Sequence, residues 1–424
     1  MERDTIEFAE ARDGQDAGAG AAFTSEERRL VGLLAACSFL AFVNFAALAP
    51  FLPAVARDLD TTVPLVGQVT TALTLLSAGL GLAIGPLADL RGHRRLIVVG
   101  IAAVALNLAG MALAPSYAVL LPMAVLAGVG DAILFGLPYA VAGERLRGDR
   151  QRRAIAWISG GLSLGIVAAP TFLALIGTVV GWRGALLVGA ALTLLIALPA
   201  LRWLPPDSGR GGARLTPRSL LVAYRPLAGS RPLVLLYGAS GLRSAGVIGA
   251  FSYFGAFIAD RFHAGPGLVG LSFLGVGLGV LAGDVLSATT TIPVPLRLLT
   301  AVTGAASCLL LGAAFALLLP LAATIALAAV AAVLTSVSYI ALTTLMTRET
   351  PGGGGTTMVL NGSVINLGTA VGAAVGGLLI AFGGYALLGL LVPVFVLGAT
   401  ALVLLVRPGD PAGADGCGLG VLPG

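Results

Sequence analysis

The chain has 424 residues, of which 57% are apolar and only 11% charged, and its formal net charge is +5. A water-soluble fold of this length has no means of covering so much apolar surface, which excludes the ordinary aqueous globular classes. The charge comes from 25 arginines, with no lysine, dispersed over short loops. That pattern argues for a lipid bilayer and against a nucleic-acid partner.

In chain order, the first 28 residues are polar, with eight acids against three arginines. They read as a disordered cytoplasmic tail, residues 1–29, with no cleavable signal peptide before the first span. A span needs about 20 apolar residues to cross about 30 Å of hydrocarbon. Six such runs follow, at 30–52, 65–87, 96–114, 118–142, 154–180 and 185–201. A stretch rich in Pro, Gly and Arg then marks a cytoplasmic linker, residues 205–232. Six further runs lie at 233–259, 268–286, 298–319, 321–346, 356–382 and 386–406, before a tail at 408–424. The expected fold is therefore all-α. Twelve transmembrane helices form two pseudo-symmetric six-helix bundles, residues 30–204 and 233–407.

Orientation follows from the arginines. If the first run leaves the cytoplasm, 21 of the 25 fall on the inner side. Arg57, Arg183 and Arg261 fall outside, and Arg243 lies within a run. Loop charge bias sets orientation during insertion, so both termini are expected in the cytoplasm of a cell with this protein in its inner membrane.

The halves echo each other at an offset near 200 residues. The run Gly79-Leu-Gly-Leu-Ala-Ile-Gly85 in span 2 matches Gly277-Leu-Gly-Val-Leu-Ala-Gly283 in span 8. Gly165-x-x-x-Ala169 and Gly181-Trp182 match Gly368-x-x-x-Gly372 and Gly384-Tyr385, and Arg145 after span 4 matches Arg348 after span 10. Duplicated six-span halves are a sign of transporters whose site lies near the bilayer midplane. Most glycines at helical spacing are expected to serve close helix packing.

Charges inside lipid point to function because each costs about 2.5–3.5 kcal/mol at a helix centre on insertion scales. Asp131 in span 4 and Arg243 in span 7 lie at mid-depth, about 16 Å and about 15 Å from the inner ends at 1.5 Å per residue. They read either as a substrate or proton site or as an ion pair that joins the halves. Polar candidates to complete the site are Asn44, Ser240, Tyr253, Ser336 and Tyr339, each also a natural interhelical hydrogen-bond partner. Asp284, near the inner end of span 8, reads as an interfacial or structural carboxylate.

Enzyme-like patterns fail on context. Gly161-Leu-Ser163-Leu-Gly165 has nucleophile-elbow spacing but lies in an apolar helix, and His93 and His263 sit in loops on opposite sides. Asn361-Gly-Ser363 is a formal sequon within span 11 and reads as packing. Cys37, Cys308 and Cys417 have no metal-site or disulfide spacing. Without lysine there is no phosphate-binding G-x-x-x-x-G-K-[ST] loop. No enzyme activity and no cofactor are expected.

At the span 2–3 junction stands Gly85-Pro-Leu-Ala-Asp89-Leu-Arg91-Gly92-His93-Arg94-Arg95. It resembles the signature loop of the major facilitator superfamily, G-x-L-A-D-R-x-G-R-[RK]. Asp89, Gly92 and Arg94 fall on the acid, the second glycine and the last basic position, while Leu90 and His93 stand where the family has arginine. The resemblance extends along the chain to the twelve-span drug/proton antiporters of the arabinose-efflux-permease-like branch. It is carried by Phe51-Leu-Pro-Ala-Val-Ala-Arg57-Asp-Leu-Asp60, Gly128-Val-Gly130, Gly181-Trp-Arg183 and Leu360-Asn-Gly-Ser-Val-Ile-Asn366-Leu-Gly368. Ala124 replaces the basic residue of early span 4, and the span 5 motif G-x-x-x-G-P survives as Gly165-x-x-x-Ala169-Pro170.

The resemblance implies a secondary transporter in which spans 1, 4, 7 and 10 line a central cavity, with Asp131 and Arg243 at one level. It also implies a cytoplasmic gating loop of Gly85, Asp89, Arg91, Gly92, Arg94 and Arg95, with Asp89 beside the start of span 11. The expected activity is proton-coupled efflux of a small organic solute or drug by a monomer in the bilayer. An importer or uniporter of the same fold, favoured by the altered span 5 motif, and a non-transporting membrane sensor or scaffold are the alternatives.

Overall fold

The computed structural model describes residues 23–204, 229–289, 294–349 and 355–406. Among these the regular elements are α-helices. Among the described residues, ten stretches are long and apolar enough to cross a membrane. Two of them, 51 and 48 residues long, are each broken at glycine into two arms. The arms coincide with predicted runs five and six, and eleven and twelve. Large apolar side chains stand outward, as lipid in place of water permits; Val179 and Phe382 are 84% and 85% exposed.

The helices fall into two compact units, Met1–Leu215 with Ser252–Leu278, and Thr216–Phe251 with Gly279–Gly424. In the first unit α1 (Ser25–Phe45) opens on a capping box. The Thr24 side chain accepts from Glu27 N–H, and the Glu27 carboxylate accepts from Thr24 N–H. The predicted first run is interrupted here. Pro50 lacks the N–H a helix needs, so a turn separates α1 from α2 (Leu52–Asp58), and Pro53 sits in the first turn of α2, where the missing N–H costs nothing. Thr62 then caps α3 (Val63–Arg91), and Gly92, at φ 90°, makes the left-handed turn into α4 (His93–Leu113). Run four is likewise broken, into α5 (Tyr117–Leu134) and α6 (Leu137–Arg145), because Pro138 cannot continue the preceding helix.

The long α7 (Gly148–Trp203) bends at Gly181, φ 71°. Its first arm crosses α1 at glycines, where a Cβ at Gly161 would lie 2.2 Å from Ala35 O. Its second arm lies on α4, with Gly189 against Leu108. This unit also holds α9 (Phe254–Phe262) and the first part of α10 (Pro266–Thr289), where the Thr171 hydroxyl donates to Gly270 O at 3.0 Å.

The second unit repeats the scheme. The first arm of α13 (Gly355–Leu404) crosses α8 (Arg231–Phe251), and a Cβ at Gly372 would lie 2.0 Å from Ala245 O. The bend follows at Gly384, φ 67°. The second arm lies on α11 (Leu296–Ala316), where a Cβ at Gly389 would lie 2.7 Å from Gly312 O. The last part of α10 packs through Gly279 and Gly283 onto α12 (Leu321–Arg348). The inner apolar core of this unit joins Leu233, Leu236, Leu342, Met346 and Val403.

Candidate functional site

In the first unit Asp131 sits one residue after Gly128-Val-Gly130 on α5. The glycines let neighbours close in. A Cβ at Gly128 would lie 2.8 Å from Leu73 O of α3, and one at Gly130 would lie 2.6 Å from a Val104 methyl of α4. Asp131 is thereby set at a crossing of helices and is 1% exposed. The Asn44 amide on α1 donates to Asp131 Oδ1 at 2.7 Å and to Ala127 O at 3.0 Å. The Asn107 amide on α4 donates in turn to Asn44 Oδ1 at 2.8 Å. Among the described residues, Asp131 Oδ2 and Asn107 Oδ1 have no hydrogen-bond partner.

Asn107 is a functional candidate that the sequence reading did not single out. It is one of only four asparagines in the chain and sits mid-run in span 3. A rare amide deep in an apolar run was the available signal. Apolar periodicity gave none, because the helix around it is apolar on all sides.

In the second unit Arg243 on α8 is 7% exposed. Its guanidinium lies over the Tyr339 ring of α12, 5.0 Å from the centroid, and Nη2 donates to Thr335 O at 3.4 Å. Its Nε has no acceptor among the described residues. Ser336, one helical turn away, donates to Asp284 of α10. Ser240 Oγ is buried on α8 without a partner among the described residues. Tyr253 belongs to the first unit, fully buried, and its ring fills the space a Cβ at Gly67 of α3 would occupy.

The structure thus brings together Asn44 with Asp131, and Arg243 with Tyr339. The partners found for each of the two charges lie within its own unit. Among the described residues, no three metal-ligating side chains come together. Gly161, Ser163 and Gly165 are helical, and Asn361 is buried in α13.

Of the predicted gating loop, Gly85 and Asp89 lie in α3, Gly92 makes the turn, and Arg91 and Arg95 are exposed. The side chain of Asp89 and residues 352–354 at the start of span 11 lie outside the described residues. Arg94 donates to Leu201 O at 2.5 Å and so caps the last turn of α7. His93 lies 3.4 Å from Glu144 of α6.

Residues 34–352, well over half of the chain, match the family model described as Major Facilitator Superfamily. The chain belongs to that superfamily. It is similar to the "Inner membrane transport protein YdhP" of Escherichia coli, 28% identical over 240 residues, covering 55% of this chain and 59% of the relative. It is similar to the "Transcription regulatory protein OpdE" of Pseudomonas aeruginosa, 29% identical over 255 residues, with 60% and 62% covered. It is also similar to the "Chloramphenicol resistance protein" of Streptomyces lividans, 28% identical over 238 residues, with 56% and 60% covered. The chain spans less than two thirds of the length of these curated relatives.

Among solved structures, a bacterial homologue of the human lysosomal transporter Spinster, inward-facing and unoccupied, matches with a TM-score of 0.69. That match has 17% identity and covers 91% of this chain and 95% of that one. This match shows the fold, the all-α membrane fold of the superfamily.

Proposed function

We propose that the chain is a secondary transporter that moves a small organic solute across the inner membrane by alternating access, with export driven by proton entry. One observation carries the reading. The Asp131 carboxylate is buried within a span, Asn44 holds one oxygen, and the other is unmet among the described residues. Ionisable groups in spans are costly, and functional sites retain them. A proton arriving at Oδ2 cancels the charge without disturbing the bond from Asn44 to Oδ1, so loading and release need no rebuilding of the network.

The superfamily and the printed name of the Escherichia coli relative support transport, and the name of the Streptomyces lividans relative supports export of a drug-like solute. We assign Arg243, Ser240, Tyr253, Ser336 and Tyr339 to the solute, and Gly85, Asp89, Arg91, Gly92, Arg94 and Arg95 to control of the cytoplasmic opening. Bundles at 30–204 and 233–407, a monomer, and cytoplasmic termini complete the reading, the last following the arginine distribution.

The test is flux in inverted membrane vesicles with an imposed proton gradient, over a panel of sugars and drugs. Solute accumulation that collapses with the gradient is expected. Gradient-independent flux would assign the uniporter alternative. A second reading, a membrane regulator, is favoured by the printed name of OpdE. Absence of flux for the whole panel, together with changed transcription on deletion, would establish that reading instead.

A further inference from the structure

We infer that Arg243 and Tyr339 form a binding site for an organic monoanion, so that the solute of the proposed transporter carries a carboxylate. The inference rests on the transport reading for its physiological role but not for the binding itself.

A guanidinium carries five N–H donors and a charge that cannot be shed in a protein. Arg243 is 93% buried by its 7% exposure, yet the described residues offer it one backbone carbonyl, Thr335 O, and one aromatic face. No carboxylate pairs with it among them, and Nε is left without an acceptor. Asp284 of α10 accepts from Ser336. A buried cation in this condition is costly unless an anion and hydrogen-bond acceptors reach it.

The geometry states what kind of anion fits. The Tyr339 ring lies 5.0 Å from the guanidinium carbon, and Nε, on the guanidinium edge, has no acceptor among the described residues. An edge-on guanidinium matches a carboxylate through two parallel N–H···O bonds. The ring quadrupole of Tyr339 adds to the fixed orientation of the cation. One positive charge balances one negative charge, which favours a monoanionic carboxylate over a phosphate dianion.

The experiment uses the full-length protein in detergent and reads its thermal unfolding. The probes are benzoate, phenylacetate and indole-3-acetate, each beside its carboxamide of nearly the same shape. The expected result is protection by the carboxylates at concentrations at least about tenfold below those of the carboxamides, a factor worth about 1.4 kcal/mol. Arg243→Gln should abolish that preference. Arg243→Lys should keep it with weaker protection, since the charge remains and the fork is lost. Should Arg243→Gln fail to fold, Arg243→Lys and Tyr339→Leu carry the test, both losing part of the carboxylate preference.

Equal protection by carboxamides, no protection by any carboxylate, or an unchanged preference in Arg243→Gln would overturn the site. Failure of the transport reading looks different. Carboxylates would bind and be discriminated by Arg243, yet vesicles would not move them under any gradient. Gradient-driven flux of neutral solutes without carboxylate preference would remove the anion site and leave the transport reading standing.

Discussion

The two units of this protein share their backbone devices and differ in the polar groups that those devices carry. In each, a glycine-lined arm crosses the unit's first long helix, at Gly161 and Gly165 on α1 and at Gly368 and Gly372 on α8. In each, the arm ends at a glycine of nearly equal φ, 71° at Gly181 and 67° at Gly384. In each, an arginine opening the third span caps the end of the sixth, Arg94 on Leu201 O and Arg297 on Val406 O. The buried charge is opposite, however. The first unit holds an acid tied into amides, and the second holds a base against an aromatic ring. Helix crossings tolerate few substitutions because backbone meets backbone there. Side chains facing other side chains are free to diverge, and the transport chemistry is accordingly expected in the differences.

The sharpest way to break this comparison is to neutralise the acid without disturbing its network. Asp131→Asn keeps an oxygen for Asn44 to donate to but cannot carry a proton. Gradient-driven flux in vesicles is expected to fall at least about tenfold, a barrier change of about 1.4 kcal/mol or more, with folded yield unchanged. Wild-type flux would show that the acid is as structural as the glycines.

The shared devices give the next effect. A Cβ at Gly372 meets the carbonyl oxygen of Ala245 at 2.0 Å and one at Gly161 meets that of Ala35 at 2.2 Å, whereas one at Gly79 meets nothing within 4 Å. Overpacking costs about 1–3 kcal/mol, and backbone neighbours leave little room to relax. Gly372→Ala and Gly161→Ala should each lower the unfolding temperature of the purified protein by several degrees, and Gly79→Ala should not. Unequal losses at the first two would show that only one crossing supports its unit.

A smaller effect tests the amide chain. Asn107→Ala removes the donor that orients the Asn44 amide, a single interhelical bond worth about 0.6 kcal/mol on average in lipid and at most about 1.7. The unfolding temperature should drop slightly while gradient-driven flux falls further than stability does. Asn107→Gln, which can still donate, should recover part of the flux. Equal, small losses in both would reduce Asn107 to packing.

Much of this was legible in the sequence because lipid simplifies it. With no water in the bilayer core, length and hydropathy alone select the helices, and the Gly181 and Gly384 match was read as part of the internal repeat, not as a pair of bends. The rarity of charge within spans singled out Asp131 and Arg243. The breaks after Phe45 and Leu134 were blurred, since the residues around Pro50 and Pro138 remain apolar. The partners of the two charges were not legible. Whether Asp131 meets an amide or a guanidinium depends on which faces of all-round apolar helices turn inward, and such helices carry too little periodicity to say. Asn44 was recognised as polar and mid-span, but its role as the link from Asn107 to Asp131 required the crossing of α1, α4 and α5.

A last effect, on stability alone, lies at the Gly181 bend, where the repeat is incomplete. Gly181-Trp182-Arg183 corresponds to Gly384-Tyr385-Ala386, so only the first unit has an arginine after its bend. Arg183 Nη1 donates to Ala112 O and Ala114 O, each at 2.9 Å, and these carbonyls belong to the end of α4 that has no intrahelical donors. Nε and Nη2 both reach Asp58 Oδ2, at 3.0 and 2.8 Å, and the guanidinium lies over the Trp182 ring. The Asp58 pair is more than a third exposed on both sides, and surface ion pairs contribute about 0–1 kcal/mol. The two carbonyl bonds are better shielded and add roughly a further 1 kcal/mol. Arg183→Gln should therefore lower the unfolding temperature by a few degrees, whereas Asp58→Asn should lower it by less. Equal losses for Arg183→Gln and Asp58→Asn would instead make the ion pair the whole of the effect, and the carbonyl caps of α4 incidental.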